Sequence, residues 1–467
     1  MRDVSVTDID GYRILGALEA RESVGRPIRV GLIGAGRFGT TVAAQVGQMA
    51  GMRFSLICDL NPESAMMAAR AGTRGNMDRI VRATTRDSVA DAVMRDQCVT
   101  TDDLTVALES PVDVIVEATG RPGIATRVAF DAIAAGKHVI MVTVEADVLL
   151  GAALAKRARE AGCVYSLADG DQPAVTVRMV QWARAAGYTV VAAGRGTKMF
   201  PSDPDGHPDE AFSRYGFDPE IVERRRFNPT MYNSFRDGSK AQLEMTALAN
   251  ATGLIPDRRG MHEPSSGWSD LPLHFRPRDE GGLLHSTGVV DLANAVASDG
   301  VSIVPRSIES GVWVVVTSDQ PLLHEDLAFY GLPASPDKRY AAFWRPYHLC
   351  GIETPMSIAE AALFGTPTAA PIGAPVADVI TVAKRDLQAG EVLDGSGGAL
   401  VRGQIERIEI ALRENLLPLG LADRVTVLRP IRRGESIPRD AVTTLSDPLV
   451  SQLRSEHEAL ARAVTTA

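Results

Sequence analysis

Three glycines within six residues, Gly34-Ala35-Gly36-Arg37-Phe38-Gly39, have the spacing that holds a diphosphate. In a strand-to-helix turn, the first glycine takes a backbone conformation that other residues avoid. The second leaves room for phosphate oxygens, and the third lets the helix lie close on the strand. The helix that opens there offers unpaired N–H groups, an anion site made of backbone alone. The pattern is weak by itself. It gains force here because an apolar run over 28–33 precedes it and a helical pattern over 42–49 follows. Asp59 stands at the end of a second apolar run, 54–58. A carboxylate there accepts hydrogen bonds from an adenosine ribose and repels a 2′-phosphate. Leu60, Asn61 and Pro62 supply no arginine, so the pattern favours NAD over NADP. The competing reading is that Asp59 caps the next helix, but Asn61 before Pro62 is the better cap.

Ligands of a parallel sheet bind beyond the carboxyl ends of its strands, and that rule sorts the remaining polar residues. Lys137 and His138 begin a strand and read as structural. Ala118, Thr119 and Gly120 follow a strand over 112–116 together with Glu117, and Thr143 follows one over 138–142. These line the expected nicotinamide site. Glu145, in the loop expected over 143–147, and Asp171, in the segment 169–172 after a strand over 163–167, read either as substrate contacts or as loop caps. A helix over 241–250 is apolar over most of its surface yet has Lys240 and Glu244 at i, i+4; Ser239 and Gln242 match a capping box and Gly253 is the expected stop. A buried pair of this kind is a structural ion pair or a proton-handling site. Asp237 and Asn250, at the two ends of this segment, are substrate candidates. Lys198, after the glycine-rich turn expected over 194–197, could bond a substrate oxygen, act as the acid of carbonyl reduction, or be a solvated loop lysine. Arg345 suits a carboxylate or phosphate, and His348 suits a proton relay or a satisfied core position. No H-E-x-x-H or paired-cysteine motif points to a tightly held zinc; whether a divalent metal is needed stays open.

The elements around these residues alternate strand and helix from 28 to 167, which implies a doubly wound parallel α/β sheet. The expected division is an N-terminal helical extension over 1–26, a Rossmann domain over 27–170, an α+β substrate or oligomerisation domain over 171–364, and a linker with a small β-rich domain and tail over 365–467. The extension has Ile9, Tyr12, Leu15 and Leu18 at helical spacing, and the Pro/Asp/Gly stretch 201–208 reads as a mobile loop. In the last region, the phrase Asp386 to Glu391 finds an echo at 432–437. A chain of 467 residues with 45% hydrophobic and 23% charged residues has the balance of a globular protein of two or three domains. A net charge of −9 argues against nucleic-acid or anionic-membrane partners. The basic run Arg224, Arg225 and Arg226 lies beside Asp218, Glu220 and Glu223 and reads as a solvated face, with phosphate binding as the alternative. Cys58, Cys98, Cys163 and Cys350 show no metal or redox spacing, there is no signal-peptide pattern, and no stretch is apolar enough to span a bilayer. Together these imply a cytoplasmic protein acting on a small-molecule substrate.

The first domain resembles homoserine dehydrogenase in its glycine turn, in V-D-V-I-V-E-A-T-G over 112–120 and in 137–147. The longer chain, through 237–253, Arg345-Pro-Tyr-His348-Leu349 and 383–391, resembles the bacterial 1-deoxy-D-xylulose 5-phosphate reductoisomerase-like enzymes, which join such a fold to a C-terminal SAF-type domain. The resemblance covers most of 27–440 and implies an oligomeric NAD(P)-dependent reductase of a small phosphorylated or polyhydroxylated carbonyl compound. In a reductoisomerase, a skeletal rearrangement precedes hydride delivery. The sequence departs from these families in three ways. Thr143 is followed by Val144 and Glu145, where homoserine enzymes have Asn-Lys; Asp59 favours NAD; and the metal tripeptide of the better-known reductoisomerases has no counterpart. A catabolic NAD-linked dehydrogenase of a sugar acid or polyol, and a non-catalytic dinucleotide sensor, are the rival readings.

Overall fold

The computed structural model describes residues 13–225, 227–444 and 447–465. The chain forms two compact units, residues 1–174 with 349–370, and 175–348 with 371–467. Ile9, Tyr12 and Arg226 lie outside the described residues. The leading helix is seen as Arg13–Ser23, with Leu18 buried and Leu15 exposed.

The first unit is built on seven parallel strands: β1 (Ile28–Ile33), β2 (Met52–Cys58), β3 (Ile80–Arg82), β4 (Cys98–Thr101), β5 (Val114–Glu117), β6 (His138–Met141) and β7 (Tyr165–Leu167). Their order is β3-β4-β2-β1-β5-β6-β7. Strand order reverses between β1 and β5, and this opens a crevice at their carboxyl ends. Two short strands, β3 and β4, were not read from the sequence. Both are brief, and β3 is only half-buried, so neither carries a long apolar run. The expected loop over 143–147 is instead the start of the helix Val144–Glu160. The helix Thr354–Phe364 lies in this unit rather than with the residues that precede it in sequence. Ile358, Ala359 and Ala361 share one core with Val30, Leu32 and Val116, and the Ser357 hydroxyl accepts from the amide of Asp169.

The second unit centres on a mixed sheet, β12-β11-β8-β10-β9, formed by β8 (Thr189–Thr197), β9 (Ile255–Pro256), β10 (Val289–Asn294), β11 (Val312–Thr317) and β12 (Ala341–Arg345). β8, β9 and β10 are parallel; β11 and β12 are antiparallel. Phe275 and Trp313 stack in its core with ring centroids 4.2 Å apart. Gly194 and Gly196, expected in a turn, are inside β8. A Cβ at either would lie 1.8 Å from the carbonyl oxygen of Asp291 or Ile308, so close strand packing is what requires glycine there. The stretch 201–208 is anchored rather than loose. Asp203 is buried and paired with Arg236, and the Gly206 carbonyl accepts from Lys384. Two antiparallel pairs complete this unit: β13 (Ala377–Ala383) with β15 (Val401–Arg407), and β14 (Val392–Asp394) with β16 (Asp423–Thr426). The helix Ser239–Thr252 is buried at every position except Lys240 and ends, as expected, on Gly253 with φ +75°. Its expected capping box is absent. The Ser239 hydroxyl and Gln242 carbonyl oxygen accept from the amides of Gly403 and Ile405 on β15, which ties the helix to that strand.

Candidate functional site

The glycine turn lies where β1 meets β5. Gly34 has φ +96°, and a Cβ there would lie 2.6 Å from the Ala118 carbonyl. Gly39 faces inward, with a Cβ position 2.2 Å from the Gly34 oxygen and 3.2 Å from the Leu32 methyl groups. A Cβ on Gly36 would meet nothing within 4 Å. Two glycines therefore serve packing and one keeps space open. The helix Arg37–Val46 starts at Gly36 with no side-chain cap, which leaves its first amides to a ligand. Arg37 is exposed, while Phe38 packs on the core and Ala35 is buried.

Asp59 follows β2 and is joined to this turn: its Oδ2 accepts from the Ala35 amide at 2.7 Å, and its Oδ1 from the Asn61 amide at 2.8 Å. Asn61 caps the next helix by accepting from the amides of Glu63 and Ser64. Opposite, Glu117 ends β5 wholly buried. Its carboxylate accepts from the amide and hydroxyl of Thr119 at 2.7 and 2.5 Å and from the Thr143 amide at 3.4 Å. The Gly120 amide donates to the Thr143 hydroxyl. Burial raises the Glu117 carboxyl against these bonds. Glu117 thus holds Ala118, Thr119, Gly120 and Thr143 in one arrangement. The sequence placed it among the residues lining the expected nicotinamide site but not as the group that holds the others, because that role depends on what β6 brings beside it.

Other predicted residues of this unit have internal duties. Lys137 donates to the carbonyls of Ser110 and Val112, and His138 Nδ1 accepts from the Val164 amide, both at the strand-start edge. Asp171 accepts from the Gln172 amide at the start of the helix Gln172–Ala185, which is the capping role. Glu145 is half-buried in the first turn of its helix. Asp147, one turn along, is buried with Tyr165 as hydroxyl donor, and burial lifts its carboxyl to about 7.

In the second unit, the Glu244 carboxylate is buried and meets the guanidinium of Arg195 on β8, a partner not assigned from sequence. Lys240, on the same helix, is half-buried. Near them, Glu263 accepts from the Thr197 hydroxyl at 2.7 Å. Burial, with Asp291 close by, lifts the Glu263 carboxyl to about 7. His262 contacts Asp291, and the residues on either side of it, Met261 and Glu263, both take left-handed backbone conformations at φ +69° and +49°. Sequence reading missed Arg195, His262, Glu263 and Asp291, which are scattered over almost a hundred positions.

Several expected substrate contacts are engaged within the fold. Asp237 is buried against Lys384 at 2.6 Å and accepts from the Ser239 amide. Asn250 accepts from the amides of Val376 and Ala377 and so ties its helix to β13. Arg345 lies over the Tyr347 ring at 4.4 Å, and His348 Nδ1 is 2.8 Å from the Ser310 carbonyl. Lys198 is exposed at the end of β8, 3.8 Å from Glu309. All four cysteines are free thiols, and among the described residues no helix is long and apolar enough to cross a membrane.

Comparison with known proteins finds two family models along the chain. Residues 34–167 match the family model of the homoserine dehydrogenase NAD binding domain, and residues 170–354 match that of the oxidoreductase DRL catalytic domain. Both are models of oxidoreductase domains, the first of them an NAD binding domain. No curated protein is significantly similar in sequence. Similar solved structures include a levoglucosan dehydrogenase in complex with NADH (19% identity, 40% of this chain and 48% of that one, TM-score 0.26). A myo-inositol dehydrogenase from Lactobacillus casei in complex with NAD(H) and myo-inositol shows 16% identity over 40% of this chain and 50% of that one, TM-score 0.26. UDP-N-acetylglucosamine 3-dehydrogenase from Acidithiobacillus ferrooxidans shows 12% identity over 74% of this chain and 92% of that one, TM-score 0.36. The match thus spans about half the length of each of the first two.

Proposed function

We propose that this oxidoreductase uses NAD(H) in preference to NADP(H) and interconverts an alcohol and a carbonyl on a small phosphorylated or polyhydroxylated substrate. Asp59 carries the reading. Its carboxylate stands where an adenosine ribose would bond and is already tied to the Ala35 amide of the glycine turn at 2.7 Å. A 2′-phosphate would meet that charge with no cation in residues 60–62 to offset it. The nicotinamide end belongs to Thr119, Gly120 and Thr143, which Glu117 positions. For the substrate, Lys240 and Glu244 are assigned to proton transfer, with Arg195 orienting the Glu244 carboxylate; Lys198, Arg345 and His348 are assigned to anchoring. The resemblance to reductoisomerase-like enzymes supports the finer form of this reading: a skeletal rearrangement before hydride transfer, a SAF-like region after residue 370, and a homo-oligomer.

Calorimetry on tag-free protein tests the cofactor half. NADH should bind at least about tenfold more tightly than NADPH, a gap of about 1.4 kcal/mol, and Asp59→Asn should narrow that gap. Equal or tighter NADPH binding overturns the preference. A screen of phosphorylated sugars, sugar acids and polyols, read at the nicotinamide absorbance, tests the substrate class; turnover confined to unphosphorylated aliphatic alcohols would overturn it.

A further inference from the structure

We infer that Asp257, His262 and His285 form a binding site for a divalent transition metal ion of the zinc type. The three residues come from the segment after β9 and from the approach to β10. Each offers one ligand atom, and these atoms all lie within 4.8 Å of one another. Nε2 of His262 is 3.3 Å from Oδ2 of Asp257, and Nδ1 of His285 is 3.1 Å from the same oxygen. Ligand atoms on a tetrahedral ion with bonds of about 2.0–2.1 Å are about 3.3–3.4 Å apart, so these separations already match the edges of such a polyhedron.

The hydrogen-bond geometry points the same way. Asp291 accepts from the amides of His262, Glu263 and Leu292, and its Oδ2 is 2.7 Å from Nδ1 of His262. An acceptor so placed keeps the hydrogen of the imidazole on Nδ1, and the lone pair is then on Nε2. That Nε2 is buried, makes no hydrogen bond, and faces a carboxylate oxygen. The side chain of His262 is 6% exposed and that of Asp257 is 0% exposed. With Nδ1 as the donor to Asp291, Nε2 faces the Asp257 oxygen, which the His285 amide also holds at 2.9 Å, and a bound metal ion would join these two ligand atoms in place of a proton. The carboxylate–histidine relay from Asp291 is also the usual outer support of a metal-bound imidazole. The other carboxylate oxygen of Asp257 is held by the amide and hydroxyl of Ser286, so the ligand is oriented in advance. Two imidazoles and one carboxylate favour zinc-like ions over magnesium or calcium. Three protein ligands leave a position for water or a substrate oxygen. None of this depends on the dinucleotide reading.

The test uses tag-free full-length protein stripped with a chelator and titrated with Co²⁺, whose visible absorption reports its coordination. One equivalent should bind with the intense bands of a four- or five-coordinate ion, and Zn²⁺ should displace it. His285→Ala, at a half-exposed position that should leave the fold intact, should weaken binding at least about a hundredfold. Asp291→Asn should weaken it about 10–100-fold through the second layer alone. Asp257→Asn should abolish the bands, with circular dichroism confirming the fold. No saturable binding, or binding unchanged in His285→Ala, overturns the site. NADH affinity of the stripped protein, measured in parallel, should equal that of the metal-loaded protein and separates this result from the cofactor reading.

Discussion

The two units differ in how they hold several of their buried acids. In the first, Glu117 and Asp147 have hydroxyls and amides as partners: Thr119 and Thr143 for one, Tyr165 for the other. In the second, Glu263 and Asp291 also take a hydroxyl and amides, but four further buried carboxylates meet cations: Glu244 with Arg195, Asp203 with Arg236, Asp237 with Lys384, and Asp378 with Arg454. A dinucleotide site works through backbone amides and must not offer competing side-chain charges to the phosphates. A unit whose helices and small sheets are joined by side chains needs directional contacts, and charge-assisted bonds supply these at the risk of an orphaned charge.

Removing a cation exposes the difference most. Arg195→Met leaves Glu244 buried without that partner and should cost about 3–5 kcal/mol, whereas the double variant Arg195→Met/Glu244→Met should recover most of it. All four tryptophans lie between residues 182 and 344, so the fluorescence-detected urea transition reads the second unit alone. A single-variant loss below about 1 kcal/mol would place this pair with weak surface bridges and break the contrast.

Acidity should act on Asp147 and Glu458 with opposite sign. Burial lifts Asp147 from 3.8 to about 7. The stability it contributes is complete below its unfolded value and is lost as pH rises through about 7, a change of about 4 kcal/mol. Burial would also raise Glu458, but Arg454 and Arg439 bring it down from 4.5 to about 2. Its contribution is complete above the unfolded value and is lost as pH falls through about 2, about 3 kcal/mol. Glu263 in the second unit, lifted from 4.5 to about 7, acts with the same sign as Asp147, so between pH 5 and 8 both the circular-dichroism and the fluorescence transitions should move to lower urea. Asp147→Asn should flatten the first response, and an unchanged slope in that variant would remove Asp147 as its cause.

Two glycine variants give the finest separation. Gly39→Ala forces a methyl group against the Gly34 oxygen and should cost about 2–3 kcal/mol together with nucleotide binding. Gly36→Ala meets no atom and should leave stability within about 0.5 kcal/mol while weakening NADH about tenfold in calorimetry. Equal effects on stability would mean the open space at Gly36 is not where phosphate lies.

Local chemistry made the first site legible. Glycine spacing, an apolar run and a carboxylate at a strand end are all within 32 positions, from Ile28 to Asp59, and each acts through its own backbone or a near neighbour. The helix Ser239–Thr252 was legible too, since its apolar surface and its glycine stop are local properties. Its partners were not. Lys240 and Glu244 stood out at i, i+4, but Arg195 is 49 positions away from Glu244, on a strand whose glycines had suggested a turn. Asp237 and Asn250 looked available for a substrate until Lys384 and the β13 backbone arrived from more than 120 residues on. The sequence by itself determined the parallel α/β unit, the glycine turn and the carboxylate at the end of β2, because periodicity and backbone geometry are written over a few neighbouring residues. Only the tertiary structure decided which charges are paired, that the helix Thr354–Phe364 belongs to the first unit, and that two histidines meet Asp257, because pairing depends on which distant segments exclude water together.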